Sequence, residues 1–350
     1  MQYITTSIFL FLLLTSMSAL SRDTSTAQLK IIFGSCLHQD KPQPIWQAMN
    51  LEQAALLVLL GDNVYGDTED MAVLKAKYAK QWAKAGMQTM LANTPTIGIW
   101  DDHDFGENDA GAEYSQKEAS RQIMLDYFNV PKDSPRRTRV DGIYSSHILT
   151  QANIQVQIIL PDLRWNRSPL ESVGKLEYAH SKVPNNLGPY LPSKDGSKTM
   201  LGETQWQWLE QQLQQPADIR IFATSLQFLP EFSGWESWAN LPHERTRFLA
   251  LLDQYKIDNL VIVSGDTHWS ELSQITRKNG QSLWEMTTSG LTEEWKNVSP
   301  NKHRVGDSYA KANYGVIDII GQQLTMSIKD VQGIEIMAKT ISLENLSNKD

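Results

Sequence analysis

Leu56-Leu57-Val58-Leu59-Leu60-Gly61-Asp62-Asn63-Val64-Tyr65 is the stretch that decides how this chain is read. Five apolar residues run without a polar break and stop at Gly-Asp. That is the pattern of a strand buried on both faces in a parallel or mixed sheet. Ligands of open α/β sheets bind just past the C-terminal ends of such strands. Gly61 permits a sharp turn there. Asp62 stands at the rim, and Tyr65 follows in the same loop. A carboxylate can bridge two metal ions, and a phenolate can bind a hard trivalent one. One Gly-Asp pair alone marks only a strand and a turn, so the weight comes from repetition.

The pattern recurs. Leu260-Val261-Ile262-Val263-Ser264 runs into Gly265-Asp266-Thr267-His268. Asp and His on alternate positions of an extended segment point to opposite sides, so each can serve a different ion. Thr96-Ile97-Gly98-Ile99-Trp100 empties into Asp101-Asp102-His103-Asp104-Phe105-Gly106-Glu107-Asn108-Asp109. Carboxylates and an imidazole packed this densely repel one another and desolvate poorly unless a cation joins them. Leu29 to Phe33 ends at Gly34-Ser35-Cys36, and Ile154 to Leu160 ends at Pro161-Asp162-Leu163-Arg164. A guanidinium at a strand end suits a phosphate or a carboxylate.

Composition narrows the class. Hydrophobic residues make up 41% and charged residues 21% of 350, an ordinary globular balance. A formal net charge of -8 argues against nonspecific nucleic-acid binding. With Cys36 the single cysteine, an intrachain disulfide is excluded. The compartment is therefore read from the N-terminus. Ile8 to Leu14 is apolar and is followed by Thr15-Ser16-Met17-Ser18-Ala19, which has the form of a secretory leader over residues 1–21. No basic residue precedes the run, and the leader region holds no twin-arginine pair. A retained N-terminal anchor is the competing reading. The chain is expected to be exported, periplasmic or secreted, with no membrane span in its mature part.

The remaining chain reads as helices over 44–52, 72–91 and 203–213, and another over 243–255. Ser115-Gln116-Lys117-Glu118 has the form of a capping box opening a helix to Phe128. Residues 168–199 form an irregular excursion, and Phe232 to Trp238 an aromatic loop. The end of the chain is β-rich, with short antiparallel strands over 315–319, 324–328 and 334–340. One two-sheet domain over 28–345, with helices outside, is the expected organisation.

Cys36, Asp62 with Tyr65, Asp102 with His103, and Asp266 with His268 thus stand at the ends of buried strands, with Arg164 nearby. Such a set suits metal-assisted hydrolysis of a phosphate ester. A metal pair held by these residues would make a bound water acidic enough to serve as the nucleophile near neutral pH. Arg164 is expected to steady the equatorial oxygens, and His103 to protonate the leaving alkoxide.

Taken in order, several motifs resemble those of the alkaline phosphatase D (PhoD-like) metallophosphatases, within the calcineurin-like and purple-acid-phosphatase superfamily. They are Gly34-Ser35-Cys36, Gly61-Asp62-Asn63-Val64-Tyr65, Trp100-Asp101-Asp102-His103-Asp104 with Asn108, Asp162-Leu163-Arg164, and Gly265-Asp266-Thr267-His268. Met200 to Trp206 and Trp235-Glu236-Ser237-Trp238 before Glu244-Arg245 are similar too. The resemblance covers about residues 31 to 290. It implies an α/β fold of four layers, two mixed sheets face to face with helices outside. It implies iron (Fe3+) held by Cys36, Tyr65 and His268, with Asp62 as the bridge to a second divalent ion held by Asp102. That ion is expected to be Ca2+, with Zn2+ or Mn2+ as alternatives. Asp266 falls on a ligand position for one of the two. Gln227 stands where the wider superfamily often carries a ligand histidine.

The substrate is expected to be a phosphate ester, contacted by Arg164, Asn108, Trp235 and Trp238. The competing readings are a dedicated phosphodiesterase acting on lipid, wall-polymer or nucleotide diesters, and a degenerate member that binds without turnover.

Overall fold

The computed structural model describes residues 28–151 and 153–345. The leader expected over residues 1–21 lies outside them. Three parallel strands, β1 (Gln28–Gly34), β2 (Leu56–Leu60) and β3 (Thr96–Ile99), lie side by side in chain order. The antiparallel pair β4 (Ser145–Gln151) and β5 (Ile154–Leu160) starts a second sheet. The two-residue strands β6 (Glu171–Ser172) and β7 (Tyr190–Leu191) pair within the excursion.

β8 (Ile219–Ala223) and β9 (Leu260–Ser264) continue the second sheet parallel to β5. β10 (Ser270–Thr276), β11 (Ser282–Thr287) and β12 (Arg304–Tyr309) finish it, with β11 parallel to β9 and β10 antiparallel to both neighbours. The last strands are β13 (Asn313–Ile320), β14 (Gln323–Asp330) and β15 (Glu335–Ser342). They return antiparallel to the first sheet, with β13 against β1. The sheets therefore run β15-β14-β13-β1-β2-β3 and β12-β10-β11-β9-β8-β5-β4.

Side-chain alternation along the strands explains the layers. In the second sheet, Val156, Ile158, Ile219, Ile221, Val261 and Val263 join the core shared with Ile31, Phe33, Leu57 and Leu59 of the first. The residues between them, Ile159, Phe222 and Ile262, pack outward on Trp206, Leu209, Phe248 and Leu252. Those four belong to the helices Glu203–Leu213 and Pro242–Gln254. Ile45, Met49, Leu74 and Tyr78 cover the first sheet. The expected two mixed sheets with helices outside are what the chain forms. Among the described residues no helix is long and apolar enough to cross a membrane.

Local expectations fared unevenly. The helix expected over 72–91 is two helices, Met71–Trp82 and Ala85–Asn93, because Lys84 is extended (φ -64, ψ 126). That break lets the second helix bury Met87 and Met90. The capping box at 115–118 does not form. Ser115 Oγ instead donates to Glu69 Oε1 at 2.8 Å, and Glu118 pairs with Arg121. True boxes form at Asp101 with Asp104 and at Ser237 with Asn240, where each carboxyl or amide oxygen reaches a free backbone N–H.

Candidate metal centre

Parallel strands deliver the site. β1, β2 and β3 of one sheet and β8, β9 and β11 of the other all point their C-terminal ends at one cleft edge. Gly61 makes the approach possible. Its φ is +103, and a Cβ there would meet Asp101 Cβ at 2.5 Å and Asp101 N at 2.7 Å. Only glycine tolerates both demands. The loop after β2 thus lies directly on the loop after β3. Asp104 ties the two together: its carboxylate accepts from the backbone N–H of Asp62 (3.1 Å) and Asp101 (2.7 Å) and from the Tyr78 hydroxyl (3.1 Å).

Four candidate ligands hold left-handed backbone: Cys36 (φ 61), Asp62 (φ 51), Asp266 (φ 70) and His268 (φ 61). For cysteine this is an uncommon conformation, and strain of this kind gathers at functional sites. It also revises the sequence argument that Asp266 and His268 alternate on an extended segment. They diverge because each is separately turned.

Cys36, Asp62 and His268 offer ligand atoms within 4.8 Å of one another. Tyr65 Oη lies 3.0 Å from His268 Nε2, so a thiol, a carboxylate, a phenol and an imidazole converge. Asp62 also belongs to a group with Asp102 and His103, and Asp102 to groups with Asp101 and Asp266 and with Asp109 and Glu236. Asp62 and Asp102 are therefore the shared corners of neighbouring sites. Asp266 offers its carboxylate to the group with Asp101 and Asp102, while its backbone carbonyl accepts from Cys36 Sγ at 3.6 Å.

The electrostatics fit cations. Burial pushes the Cys36 thiol up to about 12. Burial, then the charge of Asp102, raises Asp62 well above the usual carboxylate range. Burial does the same to Asp266, reinforced by Asp101 and Asp102. Asp102 is also buried, but Arg164 and His103 hold it well below that range. Asp62 Oδ1, Asp101 Oδ2 and Asp102 Oδ1 are buried with no hydrogen-bond partner among the described residues. Oxygens left unpaired at such a depth cost free energy. Cations placed among them would supply the missing partners and stabilise the deprotonated forms. His268 fits as well, since burial pulls it down to about 4 and leaves its ring neutral.

The cleft above holds about 230 Å3 and is lined by Asp102, His103, Asn108, Asp266 and His268 together with Trp235 and Trp295. His103 Nδ1 bonds Asp67 Oδ1 at 2.7 Å, and its ring leans on Tyr65 at 4.2 Å. Burial pulls His103 down, but Asp102 and Asp67 outweigh it and hold the imidazole at about 9. Asn108 is exposed on the cleft wall.

Two residues expected to contact substrate sit elsewhere. Arg164 is fully buried. Its Nε bonds Asp101 Oδ1 at 2.6 Å and its guanidinium pairs with Glu236 Oε2 at 2.6 Å. It neutralises Asp101 and Glu236 and does not itself line the cleft, although Glu236 does. Trp238 is buried among Phe222, Phe228 and Phe248, with its Nε1 donating to Thr224 Oγ1 at 3.0 Å. The Gln227 amide donates to Glu271 Oε1 (3.2 Å) and Thr287 Oγ1 (3.0 Å).

Sequence reading passed over Asp109 and Glu236 as ligands, Trp269 and Trp295 on the cleft wall, and Ser289, whose Oγ is 3.1 Å from Cys36 Sγ. Ser289 also follows a strand end, so the rule that found Cys36 would have found it.

Comparisons with known proteins agree with this arrangement. The sequence model of the PhoD-like phosphatase family matches residues 31–316. Alkaline phosphatase D of Bacillus subtilis (strain 168) is 21% identical over 285 residues, 71% of this chain and 47% of that protein. The chain thus spans about half the length of that curated relative. A solved structure of PhoD superposes with a TM-score of 0.68 at 17% identity, over 90% of this chain and 68% of the other. GAP50, the anchor in the inner membrane complex of Plasmodium, gives 0.57 at 12%, over 90% and 89%. A dimetal phosphatase from Danio rerio gives 0.51 at 13%, over 90% and 99%. At such identities the three share the fold.

Proposed function

From the membership of this chain in the PhoD-like phosphatase family, we propose that it hydrolyses phosphate esters at a metal centre spanning its two sheets. The observation that carries this reading is the double role of Asp62, which belongs to one group with Cys36 and His268 and to another with Asp102 and His103. Its Oδ1 is buried with no hydrogen-bond partner among the described residues. A carboxylate so placed is suited to bridge two ions.

Cys36, Tyr65, Asp62 and His268 would hold iron, whose affinity for thiolate and phenolate matches that set. Asp102 and Asp266, with Asp101, would hold the second ion. An all-oxygen set suits calcium. Together the ions supply Lewis acidity and a water made acidic enough to act as nucleophile near neutral pH.

The chain's own residues do the rest. Asp67 orients the His103 ring, which donates a proton to the leaving alkoxide. Asn108 offers an amide to a phosphoryl oxygen. Arg164 holds Asp101 and Glu236 in position and acts on substrate only through them. Residues 28–345 are read as one domain serving this site, and the leader at 1–21 as the export signal.

The experiment is hydrolysis of a phosphomonoester and a phosphodiester by natively purified protein, before and after chelation and reloading. The reading expects turnover that chelation removes and metal restores. No turnover of either ester by metal-loaded protein would refute it and favour a ligand-binding member. Turnover of diesters alone would establish the dedicated phosphodiesterase.

A further inference from the structure

Beside the carboxylates, the cleft carries an aromatic wall with its own anchoring. Trp235 and Trp295 meet at 5.6 Å between ring centroids with their planes 80° apart, so the two indoles form a corner. Trp269 also lines the cleft. Each half of the corner is tied to the candidate centre. Trp295 N donates to the His268 carbonyl at 2.9 Å. Trp235 is the neighbour of Glu236, which pairs with Arg164 and Arg167.

The Trp235 loop is clamped from outside as well. Gly188 N donates to Ser233 O at 3.0 Å, and Tyr190 N donates to Gly234 O at 2.8 Å. The crossing is so close that a Cβ on Gly188 would meet Gly234 O at 2.3 Å. The excursion over 168–199, expected from sequence to run over the surface as a rim of the site, thus fixes the position of Trp235.

This wall is more than core packing, because Trp295 keeps 39% of its surface exposed. A large ring left open at a cleft mouth is a contact surface. A perpendicular pair of indoles accepts a third ring with its face on one and its edge on the other.

Resting on the phosphate-ester reading above, we infer that the cleft takes esters whose alcohol carries a planar ring, held in the Trp235–Trp295 corner. The phosphoryl group lies toward Asp102, His103 and His268, and the ring lies outward. An alkyl alcohol of similar size would leave the corner unfilled.

Binding of non-hydrolysable phosphonates separates this inference from the parent reading, because it needs no turnover. Benzylphosphonate and methylphosphonate are titrated by calorimetry into the metal-loaded wild type and Trp295→Ala. Gly188→Val serves as a second variant that displaces Trp235 without removing an aromatic ring. Wild type should bind the benzyl compound roughly 10-fold tighter than the methyl compound, the scale of one ring stack. Both variants should lose most of that ratio while inorganic phosphate binds as before. Equal affinity of the two probes in wild type would overturn the inference, as would an equal loss for both probes in Trp295→Ala. Selective benzylphosphonate binding without hydrolysis of any ester would uphold the corner and overturn the hydrolase reading instead.

Discussion

Tyr65 Oη lies 3.0 Å from His268 Nε2, although 203 positions separate the two residues and they follow strands of different sheets. The contact closes the cleft edge where the sheets meet. It also sets a phenol and a neutral imidazole on the same side as the Cys36 thiol.

Tyr65→Phe removes one ligand atom and leaves the ring that packs on His38 and His103. Iron retention should weaken by roughly 10-fold or more, and a visible phenolate-to-iron band should vanish while the second ion stays. An unchanged spectrum together with unchanged iron content would remove Tyr65 from the ligand set.

Arg164→Gln tests the buried role of that residue. Its removal leaves Asp101 and Glu236 without their counter-charge, at a cost of roughly 3–5 kcal/mol. Denaturant unfolding should show that loss, and adding Glu236→Gln should recover part of it. A variant as stable as wild type that fails only in binding phosphate would restore Arg164 as the anion clamp.

His103→Ala should keep both metals and slow esters of poor leaving groups by roughly 100-fold or more, because general acids contribute on that scale. Esters whose alcohols leave without protonation should slow far less. Loss of metal in this variant would show instead that His103 is a ligand in its group with Asp62 and Asp102.

Much of this site was legible because one rule, polar residues just past a buried strand, finds Cys36, Asp62, Tyr65, Asp102, Asp266 and His268 alike. The same rule misplaced Arg164. It stands at a strand end too, but its charge is met by Glu236, 72 positions away in the sequence (236 − 164), and no local pattern announces such a pairing. Trp235 and Trp238 looked equivalent in one aromatic loop. The turn at Ser237 sends one to the cleft and the other into the core. The two sheets were readable from strand periodicity. The break at Lys84 was not, because it depends on which neighbour the second helix must cover.

Acid stability gives a prediction outside the centre. Burial, with help from Arg136, pulls His147 from 6.5 down to about 4. The unfolded chain therefore takes up this proton first as pH falls. The stability tied to a neutral His147 is complete above pH 6.5 and is lost progressively down to pH 4. At a pH of about 5 the loss is about 1 kcal/mol, allowing for the ring's partial exposure. His147→Gln should narrow the gap in Tm between pH 7.5 and about 5. An unchanged gap would show that this imidazole titrates alike in both states.

The bridging role of Asp62 is the centre of the account. Elemental analysis of natively purified wild type and Asp62→Asn, side by side, tests it most directly. The account predicts near-stoichiometric iron with a second ion, calcium, in wild type, and loss of both ions and of turnover in the variant. An Asp62→Asn protein that keeps both metals and full activity would contradict it.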